Sequence, residues 1–146
     1  MKTTTIRELA AADLDQAFTV LQELREQLDW PTFTARLQRQ AELGYRLFGA
    51  FDGTELVGLL GMRPVETMAR GRHLHVDDLV VTANLRREGI GASLLAFAER
   101  YASEKGLASL FLDSRPEVIG FYEWLGYAPH TATLMRKLLP RVGESP

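Results

Sequence analysis

Cysteine is absent from the 146 residues. That excludes disulfides, thiolate metal sites and a cysteine nucleophile. No window of about 18 apolar residues occurs, so no membrane-spanning helix is expected. The stretch MKTTTIRELAAAD carries one lysine and no apolar core, which is not the pattern of a secretory leader. A cytoplasmic protein with no membrane partner is the expectation. A surplus of positive charge is missing too. The net charge is −2 and the isoelectric point about 5.9, so a broad basic face for nucleic acid is not expected. There is no internal repeat and no low-complexity segment. What remains is the usual globular balance, 46% hydrophobic and 25% charged. The length suits one domain over residues 1–146, with PRVGESP at 140–146 as a frayed tail.

The apolar pattern orders the chain. TTTIRE, residues 3–8, suits a short strand. Leu14, Phe18, Leu21, Leu24 and Leu28 share one helical face, with Asp13 placed as N-cap and Gln16 at capping-box spacing. Pro31 restarts the chain into a second helix, about Thr32 to Leu43, which Gly44 ends. YRLFGAF and ELVGLLGMRPV then suit two strands joined at Asp52-Gly53, with ETMARGR as a polar loop. From His73 to Thr82 a further strand is expected. Leu74 and Val76 share one face, and His73, His75 and Asp77 the other. Asp78 breaks that period before Leu79, Val80 and Val81. A two-residue period that slips once marks a β-bulge near Asp77 to Leu79. Such a bulge would splay this strand from its neighbour and open a slot between them. Ile90, Leu94, Phe97, Ala98 and Tyr101 make a third helix that Gly106 ends. ASLFLD is a short strand. Ser114 and Glu117 have capping-box spacing before a fourth helix with Val118, Phe121, Tyr122 and Leu125 on one face and Gly126 as its stop. TATLMRKLL is expected to be the last strand. The order β-α-α-β-β-β-α-β-α-β is that of a layered α/β fold.

Gly89 and Gly91 stand where the third helix must start, although glycine is a poor helix former. The first amides of a helix have no internal partner, and the helix dipole adds positive character. Without a Cβ at these positions a diphosphate can lie on the amides, with Arg86 and Arg87 supplying charge beside it. The dinucleotide fingerprint is excluded because position 94 is Leu94, and no P-loop run of Gly-Lys-Ser/Thr exists.

LRREGIGASLL resembles the acyl-CoA diphosphate loop of the GNAT superfamily of N-acetyltransferases, with its R/Q-x-x-G-x-G/A signature. Arg86, Gly89 and Gly91 fall on the signature positions, and Ala92 follows. The family strand ending in L-x-V corresponds to Leu79, Val80 and Val81. The later F/L-Y-x-x-x-G-F/Y helix corresponds to Phe121, Tyr122, Gly126 and Tyr127. Seven and four residues before Tyr122, where many members carry asparagine and alanine, stand Arg115 and Val118. The resemblance implies an α/β GNAT-like fold: a central mixed sheet of six to seven strands, one of them bulged and splayed, with four helices on both faces. It implies acetyl-CoA as donor co-substrate, held by Leu79, Val80, Val81, Arg86, Arg87, Glu88, Gly89, Ile90, Gly91, Ala92, Ser93 and Tyr122. No metal is expected.

The implied reaction moves the acetyl group directly to a primary amine of a small-molecule or peptide acceptor. Tyr122 is the implied donor of a proton to the departing thiolate; by periodicity alone it equally fits an apolar stripe. His75 and Asp77 are the candidates for removing the amine proton, His75 directly or Asp77 through water. By the same pattern His73, His75 and Asp77 equally fit a solvated strand face. Arg70 and Arg72 either meet an acidic part of the acceptor or are simply solvated. The rival readings are a non-catalytic acyl-CoA-binding regulatory module and another kind of nucleotide-phosphate binder. Homodimers are common in the family, and no sequence feature decides the oligomeric state.

Overall fold

A computed structural model describes residues 3–141. They fall into two compact units divided after Asp113, the first carrying the sheet and the second residues 114–141. The first unit orders β1 (Thr5–Glu8), α1 (Leu14–Gln22), α2 (Trp30–Glu42), β2 (Arg46–Asp52), β3 (Glu55–Thr67), β4 (Gly71–Val81), α3 (Ile90–Glu104) and β5 (Leu110–Leu112). The sheet runs β1-β2-β3-β4-β5, antiparallel until the parallel β4–β5 pair. The hairpin expected at Asp52-Gly53 forms, with Asp52 paired to Glu55 and Gly53 at φ 63°. The polar loop expected at residues 66–72 is shorter, because the β3–β4 ladder continues to Thr67 opposite Gly71. Pro64 sits in β3 beyond Met62, where the β2 ladder has already ended, so its missing amide costs least there.

Each sheet face has its own core. Ile90, Leu94, Ala98 and Ala102 of α3 pack with Phe48, Leu60, Met62, Leu74 and Val76. Ala17, Val20, Leu21 and Phe33 of α1 and α2 pack with Leu47, Phe51, Leu59 and Val80 on the other side. The start of α3 lies directly on β3: a Cβ on Gly58 would come within 3.1 Å of both Ile90 and Leu94. That contact fixes where the helix N-terminus ends up.

The second unit holds one helix, α4 (Ile119–Trp124), entered through a 3-10 turn at Pro116–Val118. Glycine stops recur through the chain. Gly44, Gly106 and Gly126 all have positive φ. Each is followed by an amide that reaches back five residues, Tyr45 to Gln40, Leu107 to Ala102 and Tyr127 to Tyr122, which closes the helix end.

The strand count, the last strand and the side-chain caps are corrected. The sheet has five strands among the described residues, not six to seven. The stretch at 131–139 forms no strand there, and Leu134, Met135, Leu138 and Leu139 are exposed. Its apolar residues come in adjacent pairs rather than alternating, so no single face of a strand collects them. Ser114 does not cap α4; its hydroxyl donates to the Arg115 carbonyl. Asp13 does not cap α1 through its side chain. Its carboxylate accepts from the Ala10 amide and from both Arg7 nitrogens, at 2.7, 2.8 and 3.1 Å. Gln16 instead bridges the β2–β3 turn, donating to the Thr54 carbonyl and accepting from the Leu56 amide. The tail expected at 140–146 lies, from residue 142 on, outside the described residues.

The Arg7 partner, and after it the Ala10 amide, lower the Asp13 carboxyl from its ordinary 3.8 to about 2. A depressed folded value means that the ionised form favours folding. The contribution is complete above pH 3.8 and is lost as pH falls through about 2. Asp13→Asn should therefore lower Tm at neutral pH, and its gap from the wild type should close on acidification across that window. A gap that stays constant from pH 7 to pH 2 would assign the effect to packing.

Candidate active site

The period slip in β4 is a bulge. Gly61 of β3 pairs with Asp78, and the next residue, Met62, pairs with Val76, so Asp77 is the extra residue. On the other side, the ladder to β5 ends at Val76 opposite Leu112. β5 itself ends there, so residues 77–81 have no β5 partner from the bulge onward. Because Asp77 is inserted, two successive carboxylates reach the α1–α2 side of the sheet.

The His73, His75 and Asp77 face is largely covered rather than solvated. His73 is 2% exposed, its Nδ1 donates to the Gly71 carbonyl at 3.0 Å, and its ring meets Phe111 edge-on. It is a structural histidine. His75 is different. Its Nε2 stands 3.8 Å from Asp77 Oδ1 and 3.9 Å from Asp113 Oδ2. Both spacings exceed a direct hydrogen bond and suit an intervening water or an incoming ammonium. Burial lowers the His75 pKa below its ordinary 6.5, with Arg63 adding to the fall, while Asp77 and Asp113 oppose it. The imidazole is therefore neutral at neutral pH and able to take a proton. Asp77 is held by a two-pronged Arg63 fork at 2.8 and 3.2 Å, so both of its carboxylate oxygens already have a partner. Arg70, before β4, and Arg72, at the start of its ladder, are both engaged. Arg70 lies over the Phe111 ring at 4.4 Å, and Arg72 donates to the Lys105 carbonyl.

Leu79 and Val81 pack towards α3, and Val80 is buried in the opposite core. Below them, α3 begins at Ile90 with Gly89 as N-cap in the left-handed region at φ 85° and no side-chain cap. The Ser93 amide makes the first helical bond, to the Gly89 carbonyl at 3.0 Å. The amides of Ile90, Gly91 and Ala92 precede that bond and have no acceptor within the helix. Arg87 also has positive φ, 72°, and is the sole non-glycine residue to do so among those described. A non-glycine residue there is strained, and such strain concentrates at ligand-binding turns. Glu88 is half-buried and Ser93 exposed on the first turn. Thr82 Oγ1 is buried with no hydrogen-bond partner among the described residues. Open amides and two glycines at the start of α3 fit a diphosphate.

Arg86 is less available than its motif position suggests. Its Nε donates to the Val81 carbonyl at 3.1 Å, and its Nη2 lies 3.5 Å from Glu23 Oε1. Glu23 also accepts from the Ala83 amide at 3.0 Å. Neither Glu23 nor Arg25, which binds the bulge, was visible as functional in the sequence, because single charges after a helix carry no period or motif. Tyr122 belongs to the second unit. Its ring contacts Phe121 and Tyr127 edge-on, at 5.1 and 6.0 Å. Burial raises its hydroxyl pKa above 10, against a smaller pull from Arg115, so the proton is retained at neutral pH.

Comparison with known proteins agrees with this geometry. The acetyltransferase (GNAT) family model matches residues 7–127. An uncharacterised N-acetyltransferase, YhdJ, of Bacillus subtilis (strain 168) is 34% identical over 100 residues, covering 68% of this chain and 70% of that protein. A glucosamine 6-phosphate N-acetyltransferase of Trypanosoma brucei brucei is 28% identical over 98 residues, 66% and 67% of the two chains. The crystal structure of a transcriptional regulator from Bacillus halodurans C-125 superposes with a TM-score of 0.79 at 25% identity, over 93% of this chain and all of that one. The bulged β4, the glycine-led start of α3 and the family match over most of the sequence belong together: this chain is a member of the GNAT acetyltransferase family.

Proposed function

We propose that the protein transfers the acetyl group of acetyl-CoA directly to a primary amine. The observation that carries this reading is the start of α3, where three amides without helical acceptors follow a left-handed Arg87 and Gly89. In this reading the donor supplies a thioester carbonyl, and the chain supplies position and proton traffic. The amides of residues 90–92 hold the diphosphate. The strand segment at 77–81, freed from β5, leaves room for the arm and presents backbone amides to the carbonyl oxygen as charge builds on it. His75 Nε2 takes a proton from the amine, directly or through water, as the nitrogen attacks the carbonyl carbon. Asp77 and Asp113 stabilise the imidazolium that forms. Tyr122, by its place in the family motif, gives its proton to the sulfur as the C–S bond breaks. The products are an amide and CoA; His75 returns its proton to solvent and Tyr122 regains one from it, which restores both groups.

The test is a panel of amines incubated with acetyl-CoA, reading free thiol. One relative is named for glucosamine 6-phosphate, so amino sugars and their phosphates head the panel, followed by aminoglycosides, polyamines and peptide N-termini. Thiol release that depends on the amine supports transfer. Donor binding without any amine-dependent release leaves a binding module instead. With a true acceptor, the acidic limb of kcat/KM should lie below pH 6.5, because burial depresses His75. The amine's own limb lies well above, at about pH 8 to 10. An acidic limb above pH 6.5 would remove His75 from the role.

A further inference from the structure

A bulge leaves its extra residue without a ladder partner. Here the Asp77 carbonyl accepts from Arg25 Nη2 at 2.9 Å. The same guanidinium donates to Asp78 Oδ1 through Nε and Nη2, at 3.2 and 3.0 Å. Tyr45, at the entry to β2, donates its hydroxyl to the other oxygen, Asp78 Oδ2, at 2.7 Å. It gets there because residue 61 is glycine: a Cβ on Gly61 would stand 1.9 Å from the Tyr45 hydroxyl oxygen. Gly61 is also the ladder partner of Asp78 at the edge of the bulge. A hole in β3, a phenol, a carboxylate and a guanidinium thus fit together at one slipped residue. Tyr45 is 5% exposed. Burial and the Asp78 charge hold its hydroxyl well above the ordinary tyrosine range, so it remains a donor.

This arrangement has a consequence for the neighbouring chemistry. From Asp77 on, β4 has a slipped ladder on one side and has parted from β5 on the other. Asp77 has no partner in either ladder, so ladder bonds alone do not set its path. Asp77, 3.8 Å from His75 Nε2, sits on that stretch.

We propose that Arg25 and Tyr45 are positioning residues that lock the β4 bulge, and through it the His75–Asp77 geometry, without touching the substrate. The functional half of this rests on the acetyl transfer proposed above; the lock itself does not. Tyr45→Phe removes one hydroxyl, and Arg25→Met removes the fork while keeping much of the stem. Phe33→Leu, in the same core and packed against the Phe18 and Trp30 rings, serves as a control for ordinary loss of packing.

Amide exchange over residues 76–80, measured without ligands, should speed up by about tenfold or more in both lock variants, and not in Phe33→Leu. With the best acceptor, kcat should fall by about tenfold or more, since small misplacements of reacting groups have effects of that order. The Kd for acetyl-CoA should change less than kcat, because the α3 amides proposed for the diphosphate lie outside the bulge and only the arm runs along residues 77–81. Arg25→Lys, which keeps a donor but not the fork, should recover part of the rate. Unchanged exchange in folded Tyr45→Phe and Arg25→Met overturns the lock. Faster exchange with wild-type kcat, or a kcat that follows Tm as it does in Phe33→Leu, overturns the positioning role. If the wild type turns over no amine, the transfer reading fails, and the exchange measurement still decides the lock.

Discussion

In Gly91→Glu, the affinity for acetyl-CoA is expected to fall tenfold or more, equivalent to about 1.4 kcal/mol, while the folded protein becomes no less stable. The two effects have opposite signs for one reason. Residue 91 is the second position of α3, in the turn whose amides lack helical partners. A glutamate there improves helix propensity by up to about 1 kcal/mol relative to glycine. Its carboxylate also lies at the positive end of the helix, where an anion adds about 0.3 to 1 kcal/mol. The same carboxylate occupies the place proposed for the diphosphate and repels it. Stability and binding therefore separate. Tm without ligand should hold or rise, and the Tm increase on adding acetyl-CoA should shrink or vanish. A folded variant with wild-type donor affinity would refute the diphosphate reading of the α3 start. A variant that simply unfolds would contradict the helix argument, and Gly91→Ala, which adds a methyl group without charge, would then test the close approach alone.

The sequence showed parts of this architecture because those parts have a period or a motif. The slip between Val76 and Leu79 located the bulge, and only a register could show that Asp77 is the inserted residue. Gly44, Gly106 and Gly126 announced helix ends, since left-handed backbone favours glycine. The caps failed for a common reason. Asp13, Gln16 and Ser114 have short polar side chains with several acceptors and donors in reach. Arg7, the β2–β3 turn and the Arg115 carbonyl claimed them. Local spacing does not see a partner 40 residues away, as in the Gln16 bond to Leu56. The last strand failed differently. Apolar content at 134–139 suggested burial, but its pairs of adjacent leucines and methionine lack the alternation that a strand face needs. The candidate site was legible where backbone is used, in Gly89 and Gly91. It was illegible where single long side chains are used. Glu23 and Arg25 come from the loop after α1 and Tyr45 from the entry to β2, and nothing local marks them. Arg86 shows the same limit from the other side: its place in the motif was clear, but its engagement with the Val81 carbonyl and Glu23 was not.

Tyr122→Phe is expected to lower kcat by about 10- to 1,000-fold and to leave acetyl-CoA binding nearly unchanged. The substitution keeps the ring that packs against Phe121 and Tyr127 and removes only the hydroxyl. If Tyr122 merely filled space in its unit, Tm and turnover would both stay close to wild type. The raised pKa makes the hydroxyl a reservoir of one proton at neutral pH rather than a base. That is the state a general acid must be in before the C–S bond breaks. The thiolate carries charge only as the bond cleaves, so the hydroxyl acts on the transition state more than on the bound donor, and kcat falls where Kd does not. The size of the fall reports how well solvent substitutes. A loss near tenfold means that water reaches the sulfur; a loss near a thousandfold means that it does not. Measurement requires the acceptor found in the amine panel and single-turnover conditions, so that product release does not mask the chemical step. Wild-type single-turnover rates in Tyr122→Phe would return Tyr122 to the apolar stripe of α4 and leave the sulfur to take its proton from water.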